Sequence, residues 1–201
     1  MSRMLGVVLY PDFELLDVFG PLEAFGHRLA RDHFRVCTVA ATAGPVASVQ
    51  GTRAIADHGF ADCPRLDVLL VPGGMGTRRN VDDAALTGWI AARAAEAELT
   101  LSVCTGTALL ARAGVLDGRR ATTNKLAFDW VVSQGPRVRW AKRARWVDDG
   151  NVVTSSGVTA GIDMSLHVIE RLTDPATAAA VAQAIEHVRH IDPDDDPFAR
   201  D

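Results

Sequence analysis

Leu99-Thr-Leu-Ser-Val-Cys104-Thr-Gly-Thr-Ala-Leu-Leu-Ala-Arg-Ala113 runs from a short apolar stretch directly into a helical one, with only Thr105-Gly106 as the joint. A buried strand that breaks at once into a helix is the repeating unit of α/β folds, so this stretch decides the class. Upstream the same grammar recurs. Leu5-Gly-Val-Val-Leu-Tyr10, stopped by Pro11, reads as a strand, as do residues 34–40 and Asp67-Val-Leu-Leu-Val-Pro72, the last ending in Gly73-Gly74. Helical spacing of Leu22, Phe25 and Leu29 predicts a helix over 21–31 with Pro21 at its first position. Leu86, Trp89, Ile90 and Ala94 predict another over 83–97. Downstream, short strands are expected at 120–123, 138–141, 145–147 and 152–155, and helices at 107–113, 128–134, 160–172 and 174–190. The alternation predicts a sandwich of helices on a mainly parallel central sheet.

The chain has 201 residues, 48% hydrophobic and 23% charged, which suits one globular domain and excludes disordered and fibrous classes. Its net charge of −4 is local: Asp192, Asp194, Asp195, Asp196 and Asp201 face only Arg200 at the end of the chain. Residues 1–190 are therefore neutral and are expected to form the single domain, with 191–201 an acidic, flexible tail. A neutral body lacks the cationic footprint that phosphate contacts require, so nucleic acid is not expected as a partner. No apolar run approaches the ~20 residues of a membrane span, and the first residues lack the pattern of a secretion signal. Cys37, Cys63 and Cys104 show no metal-ligand spacing, so free thiols in a cytoplasmic setting, with no metal or cofactor, are expected.

In open α/β sheets, ligands bind beyond the carboxyl ends of the strands. Three of those ends carry unusual residues: Glu14 and Asp17 among apolar neighbours, Gly73-Gly74, and Cys104-Thr105-Gly106. A cysteine where strand turns into helix fits a nucleophile elbow, where backbone N–H groups favour the thiolate and lower its pKa. A small buried hydrophobe explains the same residue equally well. Gly73-Gly74 reads either as an anion cradle or as a tight turn. Asp17, if buried, would stay protonated and could donate a proton.

Taken together, the blocks Phe13-Glu-Leu-Leu-Asp17-Val-Phe-Gly-Pro21, Asp67-Val-Leu-Leu-Val-Pro-Gly-Gly74, Ser102-Val-Cys-Thr-Gly106, Arg120-Ala-Thr-Thr123 and Ser156-Gly-Val-Thr-Ala-Gly-Ile-Asp163 resemble the ThiJ/PfpI superfamily. The resemblance spans residues 5–172 and is strongest to its isocyanide hydratase branch. It implies a flavodoxin-like three-layer sandwich, a homodimer, and a reactive Cys104 paired with a protonated Asp17. Gly73, Gly74 and Thr105 become candidate backbone donors around the substrate, with Ser156 at the pocket's border. The same domain also forms the sensor half of AraC-type regulators, whose helix-turn-helix module has no counterpart in this sequence.

One departure bears on mechanism. Family enzymes often place a histidine after the Ala-Thr-Thr segment, or directly after the cysteine. Here those positions hold Asn124 and Thr105. Asn124 can orient a substrate but cannot shuttle protons, so a Cys–His dyad lacks its base and Asp17 is left as the proton donor. The expectation is a cysteine enzyme that hydrates a small apolar electrophile, an isocyanide foremost. The alternatives are a redox- or ligand-sensing domain and a dicarbonyl-handling, glyoxalase- or deglycase-like enzyme. Asp163 is expected to tie the start of its helix rather than to touch substrate.

Overall fold

The computed structural model describes residues 2–199. In chain order the elements are β1 (Arg3–Val8), α1 (Leu15–Gly26), β2 (Phe34–Ala40), β3 (Gly44–Ala47), β4 (Arg53–Ala56), β5 (His58–Gly59), β6 (Val68–Val71), α2 (Thr77–Asn80), α3 (Ala84–Glu96), β7 (Leu99–Ser102), α4 (Gly106–Arg112) and β8 (Arg120–Ala121). There follow α5 (Phe128–Gln134), β9 (Arg139–Trp140), β10 (Trp146–Asp148), β11 (Val152–Ser155), α6 (Ala160–Leu172) and α7 (Pro175–Ala184). Seven strands build the main sheet in the order β10-β11-β7-β6-β1-β2-β5. Every pairing is parallel except β10 with β11, so the expected mainly parallel sheet is found. Helices α1, α6 and α7 pack together, as do α2 to α5, giving the three layers of a flavodoxin-like α/β sandwich.

Strands covered on both faces must be apolar throughout, and β6 is: all four of its residues are buried. β7 sits beside it with Leu99, Thr100, Leu101 and Ser102 equally buried, and the Ser102 hydroxyl is satisfied 2.9 Å from that of Thr107. The adjacent carboxyl ends of β1, β6 and β7 bring the three unusual loops to one place.

Two features differ from the sequence reading. Helix α1 begins at Leu15, not at residue 21, so Pro21 lies in its interior and withholds the N–H that the Asp17 carbonyl would otherwise accept. The hairpin of β3 and β4 was not foreseen, because Gly44–Ala47 and Arg53–Ala56 lack an apolar run and alternate between exposed and covered residues. Residues 193–199 of the acidic end lie against the body. The Arg145 N–H donates to the Pro193 carbonyl at 2.8 Å, the Asp196 N–H donates to the Arg143 carbonyl at 2.9 Å, and the Asp196 side chain is fully buried.

Asp163 does more than tie its own helix. It sits in the first turn of α6, 1% exposed, and accepts from Arg145 Nε at 2.8 Å, from the His190 N–H at 3.0 Å and pairs with His187 Nε2 at 2.8 Å. One carboxylate thus ties α6, the strand-entry residue Arg145 and the segment after α7. Removing one partner of such a buried pair leaves the other charge without compensation. Asp163→Ala is predicted to lower the free energy of unfolding by about 3–5 kcal/mol, measured as a reduced midpoint in urea.

Candidate active site

The elbow forms because the chain has no alternative at Gly106. A Cβ there would lie 2.3 Å from the Val71 carbonyl oxygen, so only glycine lets the start of α4 pass over the end of β6. Cys104 absorbs the turn with a φ of 58°, a left-handed conformation that is uncommon for a side-chain-bearing residue. Its backbone is held on both sides. The N–H donates to the Ser156 carbonyl at 3.0 Å, while the Cys104 carbonyl accepts from the Thr123 hydroxyl at 2.7 Å and the Thr107 hydroxyl at 3.1 Å. Such strain, roughly 1–3 kcal/mol, persists only where the surroundings over-determine it.

Asp17 is brought to the elbow by the first turn of α1 and is 0% exposed. Its Oδ2 accepts from the Gly73 N–H at 2.8 Å, whereas Oδ1 completes no hydrogen bond of ordinary geometry. The carboxyl and the Cys104 thiol are neighbours that act on each other's ionisation. Burial is the main reason the Asp17 pKa rises to about 7; the Gly73 N–H pulls it down, the charge of Glu14 pushes it up, and the thiol pulls it down slightly. A protonated acid beside the sulfur is the state favoured below neutrality.

The thiol itself departs from expectation. Cys104 is 6% exposed, and burial, followed by the charge of Asp17, raises its pKa far above that of a free cysteine. The N–H groups of Thr105 and Val158 and the Asn124 side chain work in the opposite direction without overcoming burial. The resting group is therefore a thiol held among donors that would receive a thiolate.

The glycine loop also has a different task from the expected anion cradle. The Gly73 N–H is engaged with Asp17, and the Gly74 N–H donates to the Thr105 hydroxyl at 3.0 Å. Neither is available to a substrate. Gly74 has a φ of 124° and a Cβ there would fall 2.4 Å from the Glu14 N, so the loop exists to let α1 and the elbow approach. Tyr10 clamps it from below, its buried hydroxyl 2.5 Å from the Pro72 carbonyl and 3.0 Å from that of Gly73.

Asn124 and Ser156 do lie at the site. Asn124 Oδ1 accepts from the Ala127 N–H at 2.9 Å, which fixes the amide and turns its NH2 toward the sulfur. Ser156 supports the Cys104 N–H through its carbonyl and presents its side chain to a cleft of about 570 Å³. Asn124, Ser156 and Val158, all of which contact Cys104, line that cleft together with residues 197–199, while Cys104 and Asp17 lie behind its lining. Val158 holds a φ of 43°, which a β-branched residue adopts only under constraint. Sequence reading missed Val158, because its backbone is what matters, and Tyr10, because its partner is a carbonyl 62 residues away. Among the described residues no group of three or more His, Cys, Asp or Glu side chains could hold a metal ion.

Burying Asp17 has a thermodynamic signature. Its folded-state pKa lies above the unfolded one, so the native state binds the extra proton and stability falls as the pH rises from about 4 through about 7. Asp17→Asn is predicted to stabilise the protein by on the order of 2–4 kcal/mol at pH 8 and by much less at pH 4, in paired thermal melts.

Comparison with known proteins agrees with this geometry. The DJ-1/PfpI family profile matches residues 3–171. An isonitrile hydratase of Pseudomonas putida is 35% identical over 187 residues, covering 93% of this chain and 79% of that protein. The HTH-type transcriptional regulator GbdR of Pseudomonas aeruginosa is 30% identical over 190 residues, 93% of this chain but 51% of the regulator, so the chain spans about half its length. The crystal structure of a ThiJ/PfpI family protein from Pseudomonas syringae superposes with a TM-score of 0.86 at 32% identity, covering 95% of this chain and 77% of that one. The chain belongs to the DJ-1/PfpI family.

Proposed function

We propose that the protein adds water to an isocyanide, giving an N-substituted formamide, with Cys104 as nucleophile and Asp17 as acid. The observation that carries this reading is a protonatable carboxyl buried against a thiol, with no histidine lining the cleft. The 35% identity to an isonitrile hydratase supports it from outside the geometry.

A buried site penalises separated charge, so proton transfers that keep the pair neutral are favoured over a standing thiolate. Asp17 gives its proton to the terminal isocyanide carbon, the sulfur bonds to that carbon, and the thiol proton replaces the one that Asp17 lost. The product is a neutral thioimidate. Water then bonds to the same carbon and the carbon–sulfur bond breaks. One water proton ends on nitrogen and the other on sulfur, relayed by the Asp17 carboxyl. While the sulfur carries charge in either step, the Thr105 and Val158 N–H groups and the Asn124 amide donate to it. Splitting one difficult addition into two easier ones is the gain from covalent catalysis.

A redox-sensing role has less support. Reactivity toward peroxide follows thiolate character and exposure, and Cys104 has little of either. Handling of dicarbonyls is disfavoured by the absent histidine.

Incubation with cyclohexyl isocyanide should yield N-cyclohexylformamide with a transient adduct on Cys104 by mass spectrometry, and Cys104→Ala should lose at least about 1000-fold in turnover. No turnover and no adduct in the parent protein would end the proposal. The acid must be protonated, so kcat/KM should be level at low pH and decline about tenfold per unit above about pH 7. Asp17→Asn should lose about 100-fold or more below pH 7, with the deficit shrinking at higher pH because the alkaline decline belongs to Asp17.

A further inference from the structure

We propose that residues 193–199 form a fixed wall of the substrate cleft and that Phe198, carried on it, selects substrates with a bulky apolar substituent. The inference rests on the hydratase reading for the reaction and on the geometry of this segment for the selectivity.

The segment is anchored in a way that an idle chain end is not. The fully buried Asp196 carboxylate lies 3.7 Å from Lys125 Nζ and 3.7 Å from Arg145 Nη1. Backbone bonds to Arg143 and Arg145 hold the chain at Asp196 itself and at Pro193 before it. Asp196 also shapes the turn that presents Phe198: its Oδ1 accepts the Phe198 N–H at 3.0 Å, and its carbonyl accepts the Ala199 N–H at 2.9 Å. The anchor is contiguous with the reaction centre, since Lys125 follows Asn124, whose amide faces the sulfur.

The chemistry of the cleft follows from what this anchor covers. Lys125 is the one basic residue that lines it, and its ammonium is turned away, donating to the Thr122 hydroxyl at 2.9 Å and the Ala144 carbonyl at 2.6 Å beside Asp196. No free charge is offered to a ligand there. Leu126, 82% exposed, and Phe198, 66% exposed, line it together with Pro197. Two large apolar side chains left in water along one cleft gain most from a neutral hydrocarbon group laid against them. A volume of about 570 Å³ greatly exceeds what an isocyanide carbon and a methyl group would occupy.

The test compares cyclohexyl with methyl isocyanide. Phe198→Ala should lower the ratio of their kcat/KM values about fivefold, through loss of a partly buried ring contact. Asp196→Asn, which releases the wall, should move the ratio in the same direction. An equal change for both substrates in Phe198→Ala, or none, overturns the proposal. Phe198 is exposed, so its truncation leaves the core intact. A second measurement needs no turnover: the relative rates at which N-cyclohexylmaleimide and N-methylmaleimide label Cys104, read by peptide mass mapping. If the parent protein converts neither isocyanide, the hydratase reading fails alone. The labelling ratio then decides the wall: a fall of about fivefold in Phe198→Ala upholds it and an unchanged ratio refutes it.

Discussion

A carboxyl group cut off from water rests against a thiol, and its one N–H partner comes from Gly73. Everything else around the site serves that pairing. A Cβ on Gly73 would stand 2.6 Å from the Thr105 nitrogen and 2.9 Å from Asp17 Oδ2, so glycine lets elbow, loop and acid meet. Tyr10 holds the loop from one side and the Thr105 hydroxyl from the other. The strained turn at Cys104 is locked by three separate hydrogen bonds from residues on β11's exit, α4 and the segment after β8. The pair is costly because neither group can ionise cheaply, and that same cost keeps its protons in place for transfer.

Much of this was legible beforehand, for identifiable reasons. The central strands are covered on both faces, so Val68–Val71 and Leu99–Ser102 read as short runs bounded by turns, and Cys104 lies where the second run ends. Asp17 stood out as an acid with apolar neighbours. What escaped notice depends on three-dimensional partners. Whether a glycine N–H is free or engaged is decided by which oxygen folds over it, so Gly73 and Gly74 were assigned to the substrate when they serve Asp17 and Thr105. The thiol's direction of shift was misjudged because the turn suggests donors and says nothing of burial. The last residues were read as an acidic tail, and the burial of Asp196 was not legible because its cations are set far back in the chain at Lys125 and Arg145.

Two buried carboxylates converge on Arg145. Asp163 collects Arg145, His187 and the His190 backbone on one side, and Asp196 joins Lys125 to Arg145 on the other. Arg145 is therefore common to the carboxylate that steadies α6 and the one that steadies the cleft's outer wall. Buried ion pairs add little net stability compared with apolar packing, but they tolerate only one arrangement. That property suits a cleft assembled from segments as distant in sequence as 124–126, 156–159 and 197–199.

Tyr10 is the only tyrosine in the chain, and it touches the glycine loop through its hydroxyl while its ring lies in the core. Supplying isotope-enriched tyrosine during expression therefore introduces a single spectroscopic reporter, with no assignment problem. Its hydroxyl shares the Gly73 peptide neighbourhood with the Asp17 carboxyl, a buried acid. A change in that acid's protonation or a tilt of the loop would be heard from one aromatic ring, in the intact protein and without any mutation.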